Sequence, residues 1–203
     1  LAEQGDQDAQ YQLGDLYSAH RPSIPQDTKL AWKWYSKAAT QGHVLATAAL
    51  IIKVTRSPSR YSTIRPWDNI EDAINTVSGP LSELAQKHSD VDALHCLASF
   101  KMLGIGGAPD YAAAVEYFHD GAKIGCVKCM AALGLVVLVN KEPLINSQFT
   151  ALEWIEKSWH DYYLLAGAWL GRLYEENKIK NPAATNTLSP YEYFWKAAEL
   201  GND

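Results

Sequence analysis

The chain is predicted to be an all-α solenoid, a right-handed superhelix of about five helix-turn-helix repeats forming a single domain over residues 1–203. Three observations predict it. Gly5, Gly42, Gly125 and Gly201 each close a segment ending in Ala-x-x-Gly, and Ser89 and Tyr162 hold the two remaining registers. Small and aromatic residues recur within each segment at helical spacing. Hydrophobic residues make up 47% of the chain and charged ones 20%, which suits a packed fold and excludes disorder. The closing positions lie 36 to 47 residues apart, a period at which no unit buries its apolar face alone and neighbours stack into a continuous core.

The elements follow in order, with repeats at about 6–42, 43–89, 90–125, 126–162 and 163–201. In the first, Ala9, Leu13, Gly14 and Tyr17 mark one helix, and Ala31, Trp34, Tyr35, Ala38 and Ala39 mark the next, with Gly42 as a left-handed cap. Asp27 is expected to cap that second helix. The second repeat is irregular: an insertion spans 56–67, Asp68-Asn69-Ile70-Glu71 offers a helix start at Asp68, and Gly79-Pro80 is expected to break the helix that follows. Ala93 and Leu97 open the third repeat, Gly104-Ile105-Gly106-Gly107 forms its turn, and Asp110 caps the helix carrying Ala114, Tyr117, Phe118, Gly121 and Ala122. Cys129, Leu133, Gly134, Ala151, Trp154 and Ile155 mark the fourth repeat, and Ala166, Leu170, Gly171 and Tyr174 begin the fifth. Its second helix starts at the capping box Ser189-Pro190-Tyr191-Glu192. Trp34, Trp154 and Trp195 read as wedges between helices. Leu1 to Gly5 looks like the last turn of a preceding helix, and Glu199 to Gly201 ends where another repeat could start, so an excerpt of a longer array is expected.

The stretch from Ala9 to Tyr17, AQYQLGDLY, followed by AWKWYSKAATQG from Ala31 to Gly42, resembles the Sel-one-like repeat, a relative of the tetratricopeptide repeat. The middle repeats depart from that pattern: Lys101 stands where the first has Tyr17, and Ser89 and Tyr162 replace the glycine. The resemblance implies an adaptor or scaffold that binds a protein or peptide on its concave face, and it carries no catalytic residue set. The alternative is a regulatory or substrate-recruiting segment of a larger enzyme or quality-control complex, with neighbouring domains in the full chain.

No metal site and no cofactor are expected. Cys126-x-x-Cys129 has the spacing of a redox or zinc half-site, but no second pair follows, and Cys129 occupies the register of Ala9, so packing is its expected role. The six histidines form no HExxH or HxxxH pair, and the glycine cluster lacks the strand and lysine of a phosphate loop. A net charge of −5 argues against nucleic acid, and no apolar run reaches bilayer length. Three cysteines without a repeated pairing, and no Asn-x-Ser/Thr sequon, point to a reducing setting, the cytoplasm first, with an ER-associated or other compartment left open.

Carrying the tetratricopeptide register through the first helices gives an inner row. It runs Tyr11, Asp15 and Ser18; Ala48, Ile52 and Thr55; His95, Ser99 and Met102; Ala131, Leu135 and Leu138; Ala168, Arg172 and Glu175. Polar specificity is expected from Asp15, His95, Arg172 and Glu175 around an apolar centre at Ile52, Met102, Leu135 and Leu138. The helix from 126 to 139 is apolar nearly all round, which calls for burial or a covered groove. A second candidate surface is the inserted loop with Arg56, Arg60 and Arg65 and the proline-directed Ser57-Pro58 step.

Overall fold

The computed structural model describes residues 1–18, 24–61, 66–88, 90–140, 150–160, 166–167 and 170–172. A short 3₁₀ turn over Ala2–Gln4 is followed by α1 (Gln7–Ser18), α2 (Thr28–Thr40), α3 (Val44–Arg56), α4 (Pro58–Tyr61), α5 (Ile70–His88), α6 (Val91–Leu103), α7 (Tyr111–Lys123), α8 (Val127–Asn140) and α9 (Ala151–His160). No sheet forms among the described residues. Each helix packs on the next long one in sequence, and α3 also meets α6, which is the neighbour-to-neighbour pattern of a solenoid.

The glycines that set the period do so through backbone geometry. Gly5, Gly42 and Gly125 have φ of 99°, 90° and 93°, the left-handed region that a Cβ disfavours. At the end of α2 the His43 N–H donates to the Ala38 carbonyl at 3.1 Å, and at the end of α7 the Cys126 N–H donates to Gly121 at 3.0 Å. Both close orphan carbonyls and turn the chain into the next repeat. Helix starts are capped in the same economical way. Asp27 accepts from Lys29 and Leu30 at 2.9 Å, Asp90 from Ala93 at 2.8 Å and Asp110 from Ala113 at 3.0 Å. Gly104 and Gly106 turn α6 toward α7 with φ of 68° and 79°. The expected box from Ser189 to Glu192, Trp195 and Gly201 all lie outside the described residues.

Two expectations about the second repeat need correction. The cap of α5 is Asn69, whose side-chain oxygen accepts from the Glu71 N–H at 2.9 Å, one residue beyond Asp68. The helix also runs through Gly79-Pro80 without a break. Ala73, Val77, Leu81 and Ala85 form one buried stripe at four-residue spacing against α3 and α6, while Gly79 and Pro80 lie on the exposed side. Burying that stripe outweighs the lost donor. Hydroxyls of Thr76, Ser78 and Ser82 bond carbonyls one turn back, at 2.6 to 2.9 Å.

The core runs as linked clusters along the axis. Ala31, Tyr35 and Ala38 of α2 meet Ala46, Leu50 and Val54 of α3. The opposite face of α3, with Ala48, Ile51 and Ile52, meets α5 and α6. Further on, Phe118 of α7 packs with Cys129, Met130 and Leu133 of α8 and with Trp154 of α9. Trp34 and Trp154 are buried, as wedges should be. Small residues admit the close crossings: a Cβ on Gly14 would stand 2.5 Å from the Tyr35 ring, and one on Gly134 would stand 2.3 Å from the Ala151 carbonyl.

Candidate functional site on the inner wall

The first helices α1, α3, α6 and α8, joined by Tyr35 of α2, line a cavity of about 230 Å³. Its wall includes Tyr11, Asp15, Ser18, Ile52 and His95 from the expected row, together with Arg56, which was expected in the inserted loop and is the last residue of α3. The structure thus brings one end of the row and one member of the second surface into a single place.

Charge organises this cavity. The Lys128 ammonium of α8 pairs with Asp15 of α1, and its distance to Asp92 of α6 is 3.8 Å. The first pair joins residues 113 positions apart, so the solenoid curls enough for its first and fourth repeats to meet across the inner wall. Lys53 of α3 lies 5.7 Å from the centre of the Tyr35 ring, and the Tyr35 hydroxyl donates to Ser18 Oγ at 3.2 Å. Tyr11 stacks on His43 at 4.8 Å and tilts against Tyr35 at 5.8 Å.

Burial perturbs every titratable group here that shifts. It raises the hydroxyls of Tyr11 and Tyr35 far above their ordinary range. It raises the Asp92 carboxyl, with Lys128 and a Tyr11 hydrogen bond pulling the other way. It lowers the Lys53 ammonium, where Asp15 opposes and Arg56 and Lys128 add to the effect. His95, half-buried against Phe118 with ring centres 5.8 Å apart, is pushed down to about 3 by burial, then by Lys128 and Arg56. It is neutral at physiological pH.

The remaining candidates fall elsewhere. Ser99 is fully buried and its hydroxyl has no hydrogen-bond partner among the described residues, because α6 is covered on several sides and its consecutive residues Leu97 to Phe100 are all interior. Ala48 and Ala131 are likewise buried, and Thr55 is exposed. Met102, Leu135 and Leu138 are half-buried and do not line the cavity; Met102 packs on the α7–α8 cluster. Arg172 is exposed, Arg60 is exposed on α4, and Ala168, Glu175 and Arg65 lie outside the described residues. The apolar α8 is buried mainly by its neighbours α7 and α9.

Sequence reasoning missed Lys53, Asp92 and Lys128. Asp92 and Lys128 share one register position three residues before the expected row, and Lys128 is the single charge in α8. A lone cation in an otherwise apolar helix calls for an anion, and that was the available signal.

The cysteine pair is interior. Cys126 caps α8 by accepting the Cys129 N–H at 3.2 Å, and the Cys129 sulfur sits where a Gly121 Cβ would stand 2.6 Å away. A side-chain hydrogen bond from Cys129 lowers the Cys126 thiol, helped by the backbone N–H and opposed by burial, while the same bond and burial raise Cys129. Among the described residues no group of three or more His, Cys, Asp or Glu could hold a metal, and no helix is long and apolar enough to cross a membrane.

Fold and wall together define a helical-repeat solenoid of the tetratricopeptide-like kind. Residues 7–43 and 91–126 match the model of the Sel1 repeat family. These segments are the first and third repeats, including the degenerate third. The fold is similar to that of a Sel1 repeat protein from Oxalobacter formigenes, at 24% identity and TM-score 0.57, covering 100% of this chain and 73% of that one. A protective antigen of uropathogenic Escherichia coli strains, which displays an SLR fold, aligns at 25% identity and TM-score 0.47 over 98% of this chain. This chain spans 40% of that antigen's length. No curated protein matches the chain significantly. Sel1 repeats are generally protein-interaction scaffolds, and the fold is typically non-catalytic.

Proposed function

We propose that this chain is an adaptor that holds a protein or peptide partner on its inner wall, centred on the cavity between α1, α3, α6 and α8. The observation that carries the reading is the cavity itself. Four successive first helices converge on it, and it gathers Tyr11, Asp15, Ser18, Ile52, His95 and Arg56 beside the buried Tyr35 and a cross-repeat ion pair. An interface that fixes one partner in one register combines such an apolar floor with placed charges. A cavity of this size takes a side chain or two of an extended segment. Exposed Arg172 further along the row supplies rim charge.

Site-directed photo-crosslinking tests this. A benzophenone side chain at Ser18 or Ile52 should capture the purified partner, and one at Glu116, exposed on the second helix α7, should not. Capture from Glu116 alone would move the interface to the outer wall. Arg172→Glu should weaken the same complex with little change in melting temperature.

A further inference from the structure

Away from the inner wall, a second cleft of about 490 Å³ opens between the end of α2, the start of α3 and α5. Val44, Pro66, Trp67 and Pro80 give it apolar walls, and its charged lining is two carboxylates, Asp68 and Asp72. No lysine or arginine joins them among the described lining residues. Both aspartates are exposed, and among the described residues neither carboxylate forms an ion pair or accepts a hydrogen bond. From Pro66 to Gln86 the sequence holds four carboxylates and no lysine or arginine, so the same segment supplies no cation to serve them. The N-terminus of α5 offers only the partial positive charge of its backbone N–H groups. Trp67 adds a second observation. Its indole N–H is shut off from solvent without a hydrogen-bond partner, so the ring can meet an occupant of the cleft only through carbon.

We propose that this cleft docks an arginine from a basic segment of a partner protein, on a surface separate from the inner wall. An aromatic ring and two prolines beside unpaired carboxylates suit a cation that is planar and weakly hydrated. A guanidinium can lie on the ring and present its fork to the carboxylates, while its methylene stem covers the apolar wall. A lysine ammonium, compact and strongly hydrated, gains less from such walls. The cleft falls within the range of about 300–1,000 Å³ typical of ligand pockets, which leaves room for a neighbouring side chain as well. The same carboxylates repel nucleic acid and acidic segments.

The test pans a random dodecapeptide phage library against the full chain, with the Thr76→Arg variant as counter-selection. Thr76 is exposed and lines the cleft four residues after Asp72, so the introduced guanidinium should pair with that carboxylate and fill the site from within. Peptides retained by the parent and not by Thr76→Arg should carry arginine. Measured by fluorescence anisotropy, Asp68→Asn and Asp72→Asn together should weaken them by about tenfold or more, the usual loss for a charge-assisted hydrogen bond. Both positions are exposed, so circular dichroism should show that double variant folded. Replacing the peptide's arginine with citrulline, which keeps the shape and removes the charge, should abolish binding, and lysine should weaken it. Equal affinity for the lysine peptide would overturn the choice of arginine. Selected peptides that ignore the double variant, or a selection that yields none sensitive to Thr76→Arg, would overturn the site. Asp68, Asp72 and Thr76 all lie outside the inner-wall cavity, so this result and the crosslinking from Ser18 or Ile52 stand or fall separately.

Discussion

Acid should destabilise this fold through His95, and the size of the effect can be worked out. The ordinary imidazole pKa is about 6.5, and in the folded chain it is held at about 3. Above pH 6.5 neither state binds the proton. Below that value the unfolded chain takes it up and the folded chain does not, so stability falls with pH until about pH 3. Between pH 7.5 and 5.0 the difference spans about 1.5 pH units at about 1.4 kcal/mol each, or about 2 kcal/mol. Because His95 is half-buried and lines an open cavity, screening trims this to about 1–2 kcal/mol. Urea melts at both pH values give the loss for the parent chain and for His95→Gln. Burial also lowers His43, and its contribution is common to both proteins. The variant should lose about 1–2 kcal/mol less than the parent across that interval. Equal losses would show that His95 protonates in the folded state and that the wall around it is open to water.

Three further outcomes are expected. Gly134→Ala should destabilise by about 1–3 kcal/mol in denaturant melts, because its Cβ would meet the Ala151 carbonyl and Ile155 at 2.3 and 2.4 Å, and a backbone atom cannot swing aside. Pro80→Ala should stabilise by about 1 kcal/mol or more, restoring a donor inside α5 at an exposed position, and a loss would mean that proline stiffens the unfolded chain more than it strains the helix. Replacing Cys126 and Cys129 together with alanine should cost about 1–3 kcal/mol, through a lost cap and a small cavity, while leaving partner affinity unchanged. Stoichiometric zinc in the purified protein, lost in that double variant, would overturn the packing role.

What was legible in the sequence was what is decided locally. A left-handed residue after a helix needs glycine whatever surrounds it, so Gly5, Gly42 and Gly125 announce the period directly. The same holds for Gly14 and Gly134, where a neighbouring helix crosses too close for a Cβ, and for Asp27 and Asp110 at helix starts. Local rules failed where a longer-range term overrode them. Pro80 should end a helix, but the stripe from Ala73 to Ala85 is buried only if α5 continues. Asp68 and Asn69 are both good caps, and the sequence alone does not choose between them.

The cavity was hidden for a different reason. Register tells which residues of each repeat face inward, but not how far the repeats rotate relative to one another. That rotation is small at each step and accumulates, so whether α1 and α8 meet depends on every interface between them. Asp15 and Lys128 are unremarkable singly; they form a pair only because the curl brings them together. The row that looked polar at its ends and apolar at its middle was therefore laid out on a straightened groove. Once curled, the polar end of α1 folds back onto the one charge of α8, and the most apolar helix contributes the cation that holds the wall together. A site formed by curvature belongs to no single repeat, so substitutions that alter the twist between α3 and α6 should alter it as surely as substitutions in its lining.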